Sequence, residues 1–342
     1  MSHLCRAPIR VTWDITSSCN LRCFHCYNAS GPRLARELGG AEVLKVAGRF
    51  AKANVFVVTL SGGEPLLKRE TFNVIPVLRS GRVDVNLITN GTLVTMETAR
   101  RLSELGIRQV QVSLDGSERV HDSIRGVSGS FTKTVLGVKN LLECGMNVCL
   151  SMVVSNENLK EVEKVLETAR ALGAQAFRVL RFIPMGRGKS QRSLIPPSND
   201  MRNMVTRLLF LREENKGVLN IDLDENVAFL SEKERKSYDL HWSGCLAAKS
   251  EAAVDSSGNL YPCAFLEYPG FKAGNLLEYS LEELWVSDAF SNFRKINNPC
   301  FECDVKPCSG GCPAVSYALY GNLNEKDVYC WKSQSRESTY GK

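Results

Sequence analysis

Ile9-Arg10-Val11-Thr12-Trp13-Asp14-Ile15 alternates apolar and polar side chains. It runs without a break into Thr16-Ser17-Ser18-Cys19-Asn20-Leu21-Arg22-Cys23-Phe24-His25-Cys26-Tyr27. Period-two alternation with β-branched and aromatic residues predicts a strand. The Cys-x3-Cys-x2-Cys spacing on the loop that leaves it gathers three soft thiolate donors. Strands followed by such chemistry-bearing loops recur downstream. Further β-rich runs cover Val55 to Leu60, Val83 to Thr89, Gln109 to Leu114, Val148 to Val154 and Phe177 to Ile183. Helical periodicity fills Ala41 to Ala53, Arg69 to Arg79, Thr95 to Leu105, Phe131 to Cys144, Leu159 to Leu172 and Asp200 to Glu214. In the fifth of these, Leu159, Val162, Val165, Leu166, Ala169 and Leu172 trace one apolar stripe, opposite Lys160, Glu161, Glu163 and Lys164.

Alternating βα units predict an α/β fold on a parallel sheet, either doubly wound or curled into a barrel with helices outside. Both arrangements put chemistry at the strand C-termini. The segments that follow the strands suit that role: the Cys loop, Ser61-Gly62-Gly63-Glu64, Asn90-Gly91, Asp115-Gly116 and Pro184-Met185-Gly186. Beyond about Lys216 the alternation stops and Gly, Pro and Cys become frequent, which predicts a second unit. The polar stretch Ser231 to Asp239 is the expected connection.

The chain has 342 residues, 44% of them apolar and 23% charged, inside the globular range and against a fibre, a disordered tail or a mini-protein. Its 13 Cys cannot all pair internally. The N-terminus shows no export signal, and no apolar run approaches the ~20 residues that span a bilayer. A cytoplasmic protein without membrane attachment is therefore expected, with reduced thiols used for metal binding or catalysis rather than bridges. A net charge of +6 from 43 basic and 37 acidic residues, spread without a dense basic run, argues against nucleic-acid binding.

Two metal readings of Cys19, Cys23 and Cys26 remain open on spacing alone. Zinc wants a fourth ligand, for which His25 is available but adjoins Cys26. A four-iron cluster on three thiolates keeps one iron open for a substrate or cofactor.

The run from Cys19 to Tyr27 resembles the signature of the radical S-adenosylmethionine superfamily, and the resemblance spans the whole βα half. It implies a partial (β/α)6 TIM-like barrel over residues 1–230, followed by a small Cys-rich iron-sulfur domain over residues 231–342. It also implies that S-adenosylmethionine chelates the unique iron of a 4Fe-4S cluster on Cys19, Cys23 and Cys26. Reductive cleavage there gives a 5'-deoxyadenosyl radical that abstracts a substrate hydrogen atom. In that family the loop matching Gly62, Gly63 and Glu64 meets the cofactor's ammonium group. Asn90, Ser113 and Ser151 match other positions lining the cofactor, and Arg125 would pair with its carboxylate. His25 and Tyr27 belong to the same cofactor shell. No catalytic residue is implied beyond these cluster and cofactor positions.

The later thiols are Cys245, Cys263, Cys300, Cys303, Cys308, Cys312 and Cys330, with Gly258 preceding Cys263 in a predicted hairpin. Taken as spacing alone they also suit zinc ribbons. Behind this core their order resembles the SPASM extension, which holds two auxiliary 4Fe-4S clusters. The resemblance implies Cys245, Cys263 and Cys312 around the inner cluster, and Cys300, Cys303, Cys308 and Cys330 around the outer one. Four residues rather than the family's five separate Cys303 from Cys308. Seven thiolates for eight irons leave either an open inner iron or a non-Cys ligand such as His241. Cys144 and Cys149 are expected to pack as small apolar side chains.

Sulfatase-maturing members carry Asp after the residue matching Cys263; Ala264 here argues against that activity. What remains is a maturase acting on a ribosomally made peptide, a haem-pathway enzyme that trims tetrapyrrole propionates, or a small-molecule dehydrogenase. Arg178, Arg181, Arg187, Lys189 and Arg192 would give such substrates a carboxylate-binding patch. The eight residues ahead of the first strand leave a peptide's leader to a separate binding protein or to the core itself. A reductase such as flavodoxin or ferredoxin is the implied electron partner.

Overall fold

The computed structural model describes residues 5–34, 36–296, 300, 303, 305, 308 and 310–332. The chain lays down β1 (Arg10–Thr16), α1 (Gly40–Lys52), β2 (Val57–Gly62), α2 (Glu70–Ser80), β3 (Asp84–Thr89), α3 (Met96–Glu104) and β4 (Gln109–Ser113). It continues through α4 (Glu118–Arg125), α5 (Ser130–Glu143), β5 (Val148–Val154), α6 (Val162–Leu172), β6 (Ala176–Arg181), α7 (Ser198–Glu214) and β7 (Asn220–Asp222). All six expected strands and all six expected helices are present. The fifth expected helix opens with a separate 3-10 turn over Leu159–Glu161, and Gly173 closes it in the left-handed region at φ 83°. Not anticipated was α4, whose buried face consists of His121, Ile124 and Arg125 and so shows almost no aliphatic stripe.

Strands β1 to β6 are neighbours in chain order, and every pair among them is parallel. Right-handed crossovers between strands that never reverse their order put all helices on one face. The doubly wound alternative needs a reversal of strand order; its absence here leaves a curled sheet with helices outside. β7 adds a seventh parallel strand beside β6.

On the other edge the C-terminal region joins the same sheet. β8 (Glu251–Val254) pairs parallel with β1, and β9 (Asn259–Tyr261) and β10 (Gly274–Asn275) follow antiparallel. The expected connection around Ser231 to Asp239 contains a short helix, Glu232–Ser237, closed by a reciprocal Ser231/Glu234 capping box.

The two faces of the curled sheet differ in chemistry. Val11, Trp13 and Ile15 of β1 turn toward the helices, where Trp13 meets Phe50 of α1 edge-to-face at 5.3 Å. Strand alternation then sends Thr12, Asp14 and Thr16 to the inner face. The same alternation in β4 sends Val110 and Val112 outward and Gln111 and Ser113 inward, and Gln111 accepts from Arg178 of β6 at 3.2 Å. A polar inner face is poor packing and good ligand surface. The helix-facing layer carries the stability: truncating the fully buried Trp13 or Phe50 to Ala would cost ~3–5 kcal/mol. Among the described residues no helix is long and apolar enough to cross a membrane.

Candidate active site at the strand C-termini

The three-Cys loop is held from four sides. Its ends are closed by Cys19 N–H to Gly31 O at 2.9 Å and Gly31 N–H to Ser17 O at 3.0 Å. From β2, the N–H groups of Gly63 and Glu64 donate to Thr16 O and Ser18 O, both at 2.7 Å. A Cβ on Gly63 would collide with the Ser18 carbonyl, so glycine is required for this close approach. From α4, Arg22 and Phe24 donate their N–H groups to the carbonyls of Arg125 and Ile124. From the segment after β6, Arg187 N–H reaches Cys26 O at 3.0 Å, and its guanidinium donates to the Cys23 carbonyl at 2.8 Å and to the Ser30 carbonyl. Glu37 pins the start of the loop by accepting from Thr16, Ser17 and the Ser17 backbone. Burial works against its charge, but these donors and the Lys68 ammonium outweigh it and hold the carboxyl below its ordinary range.

Within that frame the thiols lie near enough to feel one another. Burial, aided by the charges of Glu64, Cys23 and Cys26, pushes the Cys19 thiol up to about 11. Burial also raises Cys23, against the opposing pull of the Arg125 guanidinium, whose Nη1 lies 3.7 Å from Cys23 Sγ. Thiols raised this way stay protonated until a metal or strong cation displaces the proton.

Beneath them is a buried ionic hub centred on Asp115. Its Oδ2 lies 2.7 Å from Arg125 Nη2 and 3.4 Å from His25 Nε2, and its Oδ1 accepts from Val153 N–H at 3.1 Å. Despite burial, Arg125 and then His25 keep its carboxyl below the usual carboxylate range. His121 accepts from the Asp115 N–H at 3.2 Å, and burial followed by the Arg125 charge pushes its imidazole down to about 4. His25 Nδ1, His121 Nε2 and Arg125 Nε have no hydrogen-bond partner among the described residues.

The expected cofactor positions converge on this end of the sheet, and most are already engaged by the protein. Glu64 is fully buried; its oxygens accept from Thr89 Oγ1 and Asn90 N–H at 2.8 Å each and from Leu66 N–H at 3.1 Å. Asn90 donates to Asn20 at 2.9 Å and accepts from Thr92, bracing the Cys loop against β3. Tyr27 donates to Asp14 at 3.3 Å and its ring meets Phe265 at 5.1 Å. Ser113 and Ser151 are register partners on β4 and β5, so they share a face, and neither hydroxyl is hydrogen-bonded among the described residues.

The C-terminal thiols fall into two groups. Burial and then Cys245 raise Cys263, while Cys312 is raised by burial, Glu225 and Cys245 in turn. Separately, burial with the charges of Cys330 and Cys300 pushes Cys308 up to about 11. Gly258 turns the predicted hairpin at φ 87° ahead of Cys263. Among the described residues no three His, Cys, Asp or Glu side chains are placed to hold a single metal ion. Cys149 is buried and Cys144 Sγ rests 3.6 Å from Met96 Sδ, in keeping with packing roles.

Two expectations are corrected here. His241, considered as a non-Cys ligand, is 96% exposed and faces Asp239. The basic patch after β6 is largely consumed inside the protein. Arg178 pairs with Asp222 at 2.7 Å, Arg181 with Asp327 and Glu225, Arg187 holds the Cys loop, and Arg192 donates to the Leu319 carbonyl at 2.7 Å. Only Lys189 of the five is exposed and without such a partner. Sequence reasoning did not find Asp115 as the hub, Glu37 as the loop clamp or Glu225 as a partner of Arg181. The sequence places Asp115-Gly116 at the chemistry-bearing end of β4 without singling out its carboxylate, and nothing in local pattern distinguishes Glu37 or Glu225 from surface acids.

Residues 13–169 match the family model described as the radical SAM superfamily, and residues 245–313 match the SPASM iron-sulfur cluster-binding domain. The AdoMet-dependent heme synthase of Methanosarcina barkeri is 30% identical, over 96% of this chain and 98% of its own length. Mycofactocin maturase MftC of Mycobacterium tuberculosis is also 30% identical, over 96% of this chain and 84% of its own. In three dimensions the chain resembles Streptococcus suis SuiB bound to S-adenosylmethionine, at TM-score 0.76 and 18% identity over 95% of this chain and 78% of SuiB. It resembles anSMEcpe with bound AdoMet equally well, at TM-score 0.76 and 20% identity over 95% of each. Two family models in succession, with a relative at 30% identity aligned over nearly its whole length, establish that the chain is a radical SAM enzyme carrying a SPASM extension.

Proposed function

We propose that the enzyme uses S-adenosylmethionine on a 4Fe-4S cluster to take a hydrogen atom from a ribosomally made peptide, and so modifies one of its side chains. When bound, that pair supplies a 5'-deoxyadenosyl radical; the task left to the protein is positioning and exclusion of water. Cys19, Cys23 and Cys26 are the proposed cluster ligands. Three mutually sensed thiols, Cys23 buried and Cys19 and Cys26 half-buried, on a loop locked from several sides fit a cofactor that needs three thiolates and one open position.

Gly62 and Gly63 provide backbone approach for the cofactor, and Glu64 and Asn90 shape its edge while bracing the loop. Arg125, fixed by Asp115, presents a cation beside Cys23, and its Nε is unpartnered. Ser113 and Ser151 offer adjacent free hydroxyls suited to a ribose. His25 and Tyr27 act from behind through Asp115 and Asp14. Cys245, Cys263 and Cys312 would hold an inner auxiliary cluster, and Cys300, Cys303, Cys308 and Cys330 an outer one, with the catalytic core ending near residue 230. A flavodoxin- or ferredoxin-type reductase in the cytoplasm would supply electrons, and a separate protein could present the peptide leader.

The observation that favours a peptide is the fate of the basic patch. A substrate with several propionates wants free guanidinium groups, and four of the five candidate cations are spent on internal partners. Maturase relatives such as MftC support the same direction. The tetrapyrrole reading is favoured instead by the near full-length alignment with the Methanosarcina heme synthase. Anaerobic turnover with S-adenosylmethionine and dithionite, offering a panel of candidate precursor peptides against a propionate-bearing tetrapyrrole, separates the two by product mass. A peptide product shifted by loss of hydrogen, with matching 5'-deoxyadenosine, supports the proposal. Turnover of the tetrapyrrole alone overturns it.

A further inference from the structure

We propose that a cleft beyond the C-terminal ends of β5 and β6 binds a carboxylate carried on an apolar body, with Arg192, Ser198 and the N-terminus of α7 as the anion's partners. The site shares no residue with the Cys loop or the cofactor positions and does not depend on which substrate the radical attacks.

The cleft holds about 360 Å³, inside the roughly 300–1,000 Å³ range of small-ligand sites. The segment between β6 and α7 lines it together with Val328 and the helix Pro313–Tyr320. Ile195, Pro196, Leu319, Tyr320 and Val328 make it apolar, and no acid among the described residues lines it. Asn156, just past β5, fixes the segment: its N–H donates to the Leu194 carbonyl at 3.0 Å and its amide to the Ile195 carbonyl at 3.1 Å.

The polar groups at this cleft are donors that lack acceptors. α7 starts with Pro197 at its N-cap, which has no side-chain oxygen to offer, and the N–H groups of Ser198 and Asn199 make no hydrogen bond among the described residues. The aligned peptides of a 17-residue helix add positive potential at that end. Ser198 lines the cleft, is 1% exposed, and its Oγ has no partner among the described residues. A buried hydroxyl left this way is costly unless a ligand completes it. Arg192 is the one cation that lines the cleft among the described residues. Its Nη2 donates to the Leu319 carbonyl at 2.7 Å, which orients the guanidinium without neutralising it, and Nε and Nη1 make no hydrogen bond among the described residues. Asp200, the acid in the first turn of α7, is exposed and does not line the cleft. A single guanidinium between apolar walls suits one carboxylate, whereas a phosphate's second charge would go unmatched. It is also too little for a substrate with several propionates.

The test is isothermal titration of the full chain, reconstituted anaerobically, with N-acetyl-leucyl-phenylalanine, its C-terminal amide, phenylbutyrate and inorganic phosphate as probes. The amide should bind about tenfold more weakly than the free acid, the loss of one charge-assisted contact. R192Q and S198A should each weaken the acid several-fold, and R192Q should remove most of the difference between acid and amide. S198A takes away only a hydroxyl, so it keeps the test open should R192Q fail to fold. K160Q, which removes an exposed cation outside the cleft, should bind like the parent. Tighter binding of the dipeptide than of phenylbutyrate supports a peptide's C-terminal end as the ligand, and the reverse order supports a small apolar acid. Equal binding of acid and amide, unchanged affinity for the acid in S198A and R192Q, or phosphate bound as tightly as the acid overturns the proposal.

Discussion

Asp115 holds Arg125 across 2.7 Å in a buried pair, and through Arg125 it reaches the thiol of Cys23. The same carboxylate receives His25 from the Cys loop at 3.4 Å, so one side chain ties α4 to that loop. Removing one partner of a buried pair leaves an uncompensated charge and costs ~3–5 kcal/mol. Asp115→Ala should therefore lower unfolding free energy by about that amount in denaturant titration of the metal-free chain. A loss below ~1 kcal/mol, the range of an exposed pair, would contradict the hub.

Arg125→Lys separates charge from shape. Lysine keeps the cation but cannot hold Asp115 and Cys23 with a planar fork. Formation of 5'-deoxyadenosine should fall at least tenfold, with KM for S-adenosylmethionine raised and the loop's iron content retained. An unchanged KM would show that the guanidinium does not meet the cofactor.

The six strands and their helices were legible because each carries its own period, and the Cys loop because three thiols in eight residues have few other uses. The site's supports were not. Glu37, Asp115 and Glu225 are single acids whose partners Ser17, Arg125 and Arg181 lie on other elements, outside any local pattern. The Arg178–Arg192 cluster misled for the same reason: a cation looks free in sequence until the carboxylate or carbonyl that consumes it is known. The Gly258 hairpin was legible from its turn, but the joining of β8 to β1 and the addition of β10 were hidden, because strands of two to four residues take their place from their neighbours rather than from their own pattern.

The buried His121 predicts a particular acid response. Its folded value of about 4 lies below the ordinary value of 6.5, so the unfolded chain takes up the proton first. His121 therefore makes no demand above pH 6.5, and its destabilising effect grows as pH falls to about 4, reaching ~3 kcal/mol. The difference in unfolding free energy between wild type and His121→Gln, followed from pH 7.5 to pH 4, should shrink or invert by that order. A pH-independent difference would mean that the imidazole is not held neutral.

Arg187 acts as a brace and not as a substrate contact. Arg187→Ala removes charge-assisted hydrogen bonds to the Cys23 and Ser30 carbonyls, worth ~1.5–3 kcal/mol each. The variant should lose iron from the N-terminal site on mild oxidation several times faster than wild type. A variant with normal iron retention but weakened substrate binding would return Arg187 to the substrate surface.

Radical generation is assigned to the Cys19–Cys26 loop. The most direct measurement is 5'-deoxyadenosine formed from S-adenosylmethionine and dithionite under anaerobic conditions, by wild type and by the Cys19→Ala/Cys23→Ala/Cys26→Ala variant, with iron counted in both. Cofactor cleavage by wild type, none by the variant, and about four irons fewer in the variant is the predicted result. Continued cleavage by the variant, or an unchanged iron count, would contradict it.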